Sequence, residues 1–529
     1  MTRLSTGSAL AVAVAIAGLT LASAACRSAT PSMSAPATAV APAPPPVAGV
    51  PANRRQEWLE MFARGYFPGR SGQVFYVPHE GDFLVDKDPL YQFMHGSPWS
   101  YDTSIPLFFH GPGFIRTGAF AEPAVQQDIV PTLARLLNIA PPATTTGRVL
   151  SAALESTTIR PRVIVLFVLD GTRRDYFDTQ AAAIPTLSRL RREGAWFSGA
   201  RTTSMPTATS LGHATIGTGT DPRIHGLVVN RLFNRVTGAA QESYNNLDPG
   251  ELMALTLADV WNIATDGRAV IIGQGGAIRA TAGLVGHGAC LVNGRKVLAA
   301  SYLARDAGGW ETNPECYTMS PALASMTAEH YWKEAGGKWM GHDNATAQSF
   351  RSSGTFMKFE GDALAAVLEN ANIGTDEVTD LVMVNVKSID YVSHAYGPAS
   401  NEVRETLGEL DRQLARAMQI IEKKAGPRRS VFAFTADHGM PGEPPAGGRR
   451  IMPAEVVEAL NQRFSPKPPS IVQFFSDAAN AQIHLDNVRI AALGFTLKDV
   501  AAFLESRFFE AAFTEDEVRD AQTRLLPRQ

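Results

Sequence analysis

Hydrophobic positions along this chain change period several times. Short β-branched and aromatic runs at residues 74–77, 106–109, 163–169, 270–272, 381–386 and 431–435 read as strands, and amphipathic stretches separate them. Helical spacing is cleanest at 401–424, where Val403, Leu407, Leu410, Leu414, Met418 and Ile421 recur every three or four residues on one face. That stripe reads as core. Strands alternating with helices predict an α/β fold with a mostly parallel central sheet sandwiched by helices. No internal repeat of fixed period is present.

The front of the chain follows different rules. Arg3 precedes an apolar run from Ala9 to Ala22, and small residues continue through Ala25, which predicts a signal peptide over 1–25. The run is shorter than the roughly 20 apolar residues of a membrane span. Cys26 after Ser23-Ala24-Ala25 resembles a bacterial lipobox, with Ser23 where Leu is usual; the other reading is cleavage after Ala22-Ser23-Ala24 with no lipid. Both readings export the protein, as a periplasmic or outer-membrane lipoprotein if Cys26 is acylated. Residues 26–53 are nearly all Ala, Pro, Ser, Thr and Val and read as a tether, so the folded part is expected to begin near 54. With 45% hydrophobic and 19% charged residues among 529, the remainder can bury a large core. The formal net charge of -3 gives no overall attraction to a nucleic acid polymer or an anionic surface. Cys290 and Cys316 read either as a disulfide, in keeping with export, or as two buried thiols. Oligomeric state is not legible.

Candidate chemistry lies where the strands end, because open α/β sheets bind ligands beyond the carboxyl ends of their strands. Residues 163–169 run into Asp170-Gly171, 381–386 precede Asp390-Tyr-Val-Ser-His394, and 431–435 lead through Ala436 to Asp437-His438-Gly439. Carboxylates and imidazoles at one sheet edge are a metal-ligand set. Thr209, within Met205-Pro-Thr-Ala-Thr209-Ser-Leu-Gly-His213, reads either as a nucleophile at a helix amino terminus or as an N-cap. His213, surrounded by small residues, reads as structural.

These motifs together resemble the alkaline phosphatase superfamily, in the branch of type I phosphodiesterases, nucleotide pyrophosphatases and phosphate-irrepressible alkaline phosphatases. The resemblance implies two zinc ions, or another divalent cation such as manganese. Asp170, Thr209, Asp437 and His438 would surround one, and Asp390, His394 and a late histidine the other. No such late histidine follows His438: the one candidate, His484, stands in Gln482-Ile-His-Leu-Asp and reads as strand. The family's closing segment is instead similar to His95-Gly-Ser-Pro-Trp-Ser-Tyr-Asp-Thr-Ser-Ile-Pro, continued by Asp128-Ile-Val-Pro-Thr-Leu-Ala-Arg-Leu-Leu. The chain is therefore read as circularly permuted, with 54–155 as the displaced family carboxyl segment and His95 as the missing ligand. That reading predicts that the chain near Arg54 and near Leu526 are neighbours.

The resemblance also assigns Asn230 as a donor to the phosphoryl group. Arg279 reads as a second donor, although the lysine that monoesterase relatives place two residues earlier is here Ala277. One cation fewer leans the chain toward diesters or pyrophosphates. Residues 288–374 are read as an inserted cap region with loops over the site, and His110 as structural. The function implied is an exported phosphoric ester hydrolase acting on a small-molecule phosphate ester through a covalent phosphothreonine. An alkaline phosphomonoesterase and a catalytically inactive metal-binding lipoprotein are the alternatives. Sulfatase chemistry is disfavoured, since no Cys/Ser-x-Pro-x-Arg motif stands at Thr209.

Overall fold

Residues Val163–Leu169 supply alternate side chains to two different cores, which places the strand at the centre of a sheet covered on both faces. Val163, Val165, Phe167 and Leu169 pack with the helices Gly354–Asn370 and Asn401–Ala425, whose apolar stripe is buried as its spacing predicts. Ile164, Leu166 and Val168 face the opposite layer, which contains Leu133, Trp261 and Leu284.

The computed structural model describes residues 52–525, apart from 86, 293–296, 445–446 and 476–477. The signal peptide, Cys26 and the tether up to residue 51 lie outside the described residues, as does Leu526. The first helix, Ala52–Gly65, starts just ahead of the expected boundary.

Among the described residues the central sheet has ten strands. Val297–Leu303, Ile271–Gly275, Asp380–Val386, Val163–Leu169 and Ser430–Thr435 lie side by side and parallel. Direction reverses at Leu107–His110, antiparallel to Ser430–Thr435, so the sheet is mixed. Ile271–Gly275 runs beyond the apolar stretch 270–272 through Gly273, Gln274 and Gly275. Ladders on both sides hold residues that their own propensity would not make a strand.

A second, antiparallel sheet knits the two ends of the chain. Val74–Pro78 lies between Gln482–Leu485 and Phe509–Thr514. Gln522 Nε2 donates to the carbonyls of Ala63 and Tyr66, tying helix Glu515–Leu525 to the first helix. The front segment thus enters both sheets. Residues 288–374 divide between roles: Val297–Leu303 joins the central sheet and Gly354–Asn370 the core, whereas Arg351 reaches toward the site. Cys290 and Cys316 are joined by a disulfide. None of the described helices is long and apolar enough to cross a membrane.

Candidate active site

The parallel strands deliver their ligands at one edge. Asp170 follows Val163–Leu169 directly, and Asp437 stands one residue beyond Ser430–Thr435. Asp390 and His394 lie one turn apart in helix Ser388–Tyr396, with His394 Nε2 3.3 Å from Asp390 Oδ2. Gly171 is required here. Its φ is +63°, a Cβ would lie 2.9 Å from Asp390 Oδ1, and its N–H donates to Asp437 Oδ1 at 3.1 Å.

The front segment brings in His95. Asp102 accepts from Gly96 N (3.1 Å), Ser97 N (2.8 Å) and Ser97 Oγ (2.6 Å), folding the His-Gly-Ser-Pro loop onto itself. Gly439 N and Met440 N donate to the carbonyls of Asp102 and Tyr101, and Gln126 Nε2 donates to those of Ala436 and Asp437. These bonds seat the loop on the Asp437-His438 turn. His95 stacks on His438 with ring centroids 3.5 Å apart, and its Nε2 is 3.8 Å from Asp390 Oδ1.

Three imidazoles are oriented alike. Nδ1 of His95, His394 and His438 donates to the carbonyls of Thr207 (2.6 Å), Phe93 (2.6 Å) and Gly439 (2.9 Å), which leaves each Nε2 for the interior. Metal-binding histidines are held in this way. Ligand atoms about 2.0–2.2 Å from a tetrahedral zinc are separated by about 3.4 Å, close to the donor spacings here. His95, Asp390 and His438 form one buried group able to hold a cation, and Asp170, Asp437 and His438 another. Asp390 Oδ1, Asp437 Oδ2 and His438 Nε2 are buried without a hydrogen bond, a costly state that a cation would relieve.

Thr209 opens helix Thr209–Thr218, and the capping position belongs to Ala208, so the threonine hydroxyl caps nothing. It accepts instead from Lys387 Nζ at 3.0 Å. The same ammonium reaches Asp170 Oδ1 at 2.8 Å and Asp390 Oδ2 at 2.6 Å, with its side chain 2% exposed. Burial alone would favour neutral lysine; the carboxylates of Asp170, Asp390 and Asp437 more than reverse this and hold its pKa above the usual lysine range. Burial raises Asp170 to about 6, with the neighbouring Asp437 charge adding to the rise and Lys387 opposing it. Burial likewise lowers His438, but Asp437 beside it overrides this and carries it up to about 9.

Asn230 stands beside the nucleophile candidate, its Oδ1 accepting from Ser210 N at 3.0 Å. Arg279 is engaged with Glu242 at 3.3 Å. His213 donates from Nδ1 to the Thr209 carbonyl (2.9 Å) and accepts at Nε2 from Asn385 (2.9 Å), whose amide also donates to Asp170 Oδ2 (2.8 Å). It therefore orients both the threonine and an aspartate ligand. His110, on its strand, faces Glu193. Lys387, Asn385, Glu360 and Arg351 are additions to the site as read from sequence. Glu360, raised to about 7 by burial, accepts from the backbone of Lys387 and Ser388 and fixes the turn carrying the lysine. Arg351 lies over Tyr91 and Tyr391, and Tyr91 packs on His394.

Residues 164–507 match the family described as type I phosphodiesterase / nucleotide pyrophosphatase. The chain belongs to that family. It is a family of phosphoric ester hydrolases, and the match covers the strands that lead to Asp170, Asp390 and Asp437 together with Thr209. Similar proteins include alkaline phosphatase PafA of Elizabethkingia meningoseptica, 23% identical over 401 residues (65% of this chain, 72% of that one). Alkaline phosphatase PhoK of Sphingomonas sp is 25% identical over 388 residues (63% and 66%). The crystal structure of PafA superposes with a TM-score of 0.53 at 19% identity, covering 66% of this chain and 77% of that one, so the two share a fold. This phosphodiesterase-family chain carries His95 ahead of the matched residues.

Proposed function

We propose that this chain is an exported, divalent-metal-dependent phosphoric ester hydrolase in which Thr209 is the nucleophile. The observation that carries the proposal is the Thr209 hydroxyl, free of any capping role, held by an ammonium beside three carboxylates and three inward-facing imidazoles. A bound divalent cation would stabilise charge on the phosphoryl and leaving-group oxygens, and the mixed imidazole and carboxylate set suits zinc. Thr209 Oγ attacks phosphorus and loses its proton to solvent, the bond to the leaving oxygen breaks, and that oxygen departs as an alcohol, or as a phosphate from a pyrophosphate, after taking a proton from solvent. Water then cleaves the phosphothreonine, returning the hydroxyl and releasing phosphate or a phosphate monoester. The helix amino terminus at Ser210 and the Asn230 amide flank the attacked group and favour its negative charge.

Diesters and pyrophosphates are the substrates indicated by Ala277 and by Arg279 being engaged with Glu242. Monoester hydrolysis is the second reading, favoured by Lys387 and Arg351, two cations close to the ligand set. Purified residues 52–529 are assayed in zinc with a 4-nitrophenyl monoester and a bis-4-nitrophenyl diester. Turnover lost in both Thr209→Ala and His95→Ala supports the proposal, and the preferred ester decides between the readings. Absence of turnover in the parent sinks both and leaves a metal-binding protein without catalysis.

Circular permutation is part of the proposal. It is supported by the family match starting at residue 164, by His95 beside Asp390, and by the shared sheet of Val74–Pro78 and Phe509–Thr514. A chain with 54–155 transplanted behind residue 525 should fold and hydrolyse the same ester; failure to fold counts against it. Export is tested by palmitate labelling in a bacterial host, which Cys26→Ser abolishes if the lipoprotein reading holds.

A further inference from the structure

We propose that the centre loads a single divalent cation, held by His95, Asp390, His394 and His438, and that the Lys387 ammonium takes the place of a second cation beside Asp170 and Thr209. The inference rests on the hydrolase reading above and departs from the two zinc ions implied by resemblance.

Three independent observations carry it. The first is occupancy. An ammonium has N–H donors and no acceptor, and Lys387 donates to Asp170 Oδ1 (2.8 Å) and Thr209 Oγ1 (3.0 Å) while its charge lies 2.6 Å from Asp390 Oδ2. A cation bound by both Asp170 Oδ1 and Thr209 Oγ1 would lie about 2 Å from each, within the volume this nitrogen fills. The lysine has little room to withdraw: its Nζ lies 5.4 Å from the Tyr391 ring centroid, its backbone is pinned by Glu360, and a Cβ on Gly276 would come within 2.5 Å of the Lys387 Cβ.

The second is satisfaction. Asp170 has both oxygens engaged, Oδ1 by Lys387 and Oδ2 by Asn385 at 2.8 Å, whereas both oxygens of Asp390 lack a hydrogen bond, as does His438 Nε2, which the two ligand groups share. Asp437 Oδ2, also unpartnered, lies 3.2 Å from His438 Nε2 and so borders the proposed ion. The third is charge. Asp170, Asp390 and Asp437 are buried and carry three negative charges, which one lysine and one divalent cation match. Two divalent cations added to the lysine would leave an uncompensated positive surplus in a buried site, which is strongly disfavoured.

The consequence is a division of labour between the sides: the lysine holds and polarises the nucleophile, and the imidazole side carries the ion. The test measures metal content, so it is independent of turnover. Metal-free protein is titrated with Zn2+ in a calorimeter, and after desalting its zinc is measured by mass spectrometry. The parent should hold one equivalent. Lys387→Ser, which removes both charge and stem, should hold two. Asp170→Asn should keep its single ion and His95→Ala should lose it, and these two arms do not depend on the lysine variant folding. Two tightly bound ions in the parent, one ion in a folded Lys387→Ser, or loss on Asp170→Asn with retention on His95→Ala would each overturn the proposal. One ion without ester hydrolysis sinks the hydrolase reading and leaves the lysine assignment standing; no zinc in the parent sinks the lysine assignment.

Discussion

The two sides of this centre are built from similar ligands and differ in what already occupies them. On the Asp170–Thr209 side, each carboxylate oxygen of Asp170 and the threonine hydroxyl has a protein donor. On the His95–His394–His438 side, carbonyls fix every Nδ1 while His438 Nε2 and Asp390 Oδ1 are left without a hydrogen bond. An ammonium fills the first side, and the second offers unpaired donors that could take a cation. A ligand set read as residue types alone treats the two as equivalent; hydrogen-bond accounting separates them.

The comparison can be broken at four points. The largest effect belongs to Thr209→Ala, which should lower kcat by on the order of 10^4-fold or more, as loss of a covalent nucleophile does. Zinc content should stay at its parental value, and a residual rate within tenfold of the parent would move the nucleophile elsewhere. Next is Lys387→Met in metal-free protein, where losing the internal counter-ion of buried carboxylates should cost about 3–5 kcal/mol of stability by urea titration. A cost below about 1 kcal/mol would mean that the ammonium does not neutralise that side.

Asp102→Asn acts on the other side alone. By loosening the loop that aims His95 it should weaken zinc binding about 10–100-fold, the range found for groups that orient metal ligands. It should also change the pH profile. Burial raises the Asp102 carboxyl from 3.8 to about 6 in the fold, so the native state holds this proton more tightly than the unfolded chain. The stability this contributes is complete below about pH 4 and lost as pH rises through about 6. Metal-free parent should therefore lose stability relative to Asp102→Asn across that window, and parallel profiles would contradict the assignment. The smallest effect is Arg279→Ala: engaged with Glu242, Arg279 should change KM less than about fivefold, the scale of a partly exposed ion pair. A rise of a hundredfold for the monoester alone would restore it as a phosphate grip.

Much of this was legible in the sequence because the fold writes it locally. Val163–Leu169 reads as a buried strand from its apolar run, and Asp170 is the next residue. Asp390 and His394 share a helix face by spacing alone. His95 was legible, although far from its partners, because its loop carries its own local pattern. Lys387 was not: a single lysine after a strand looks like a solvated end residue, and its role follows from meeting Asp170, from a distant strand, as well as the nearby Asp390. The signal that could have found it is its place, between the 381–386 strand and Asp390, at the edge where Asp170, Asp390 and Asp437 emerge. Arg279 failed differently, because no spacing rule announces Glu242 as its partner.

The seating of the His95 loop on the Asp437-His438 turn also bears on the order in which the molecule can mature. On a ribosome His95 is made early, and the residues that complete its surroundings emerge more than three hundred positions later. No partial chain, however long, holds the ion-binding side until that turn has been synthesised. The centre can therefore close only when nearly the whole chain has been made, and a chain stalled before that turn would lack the side of the pocket that His95 and His438 share.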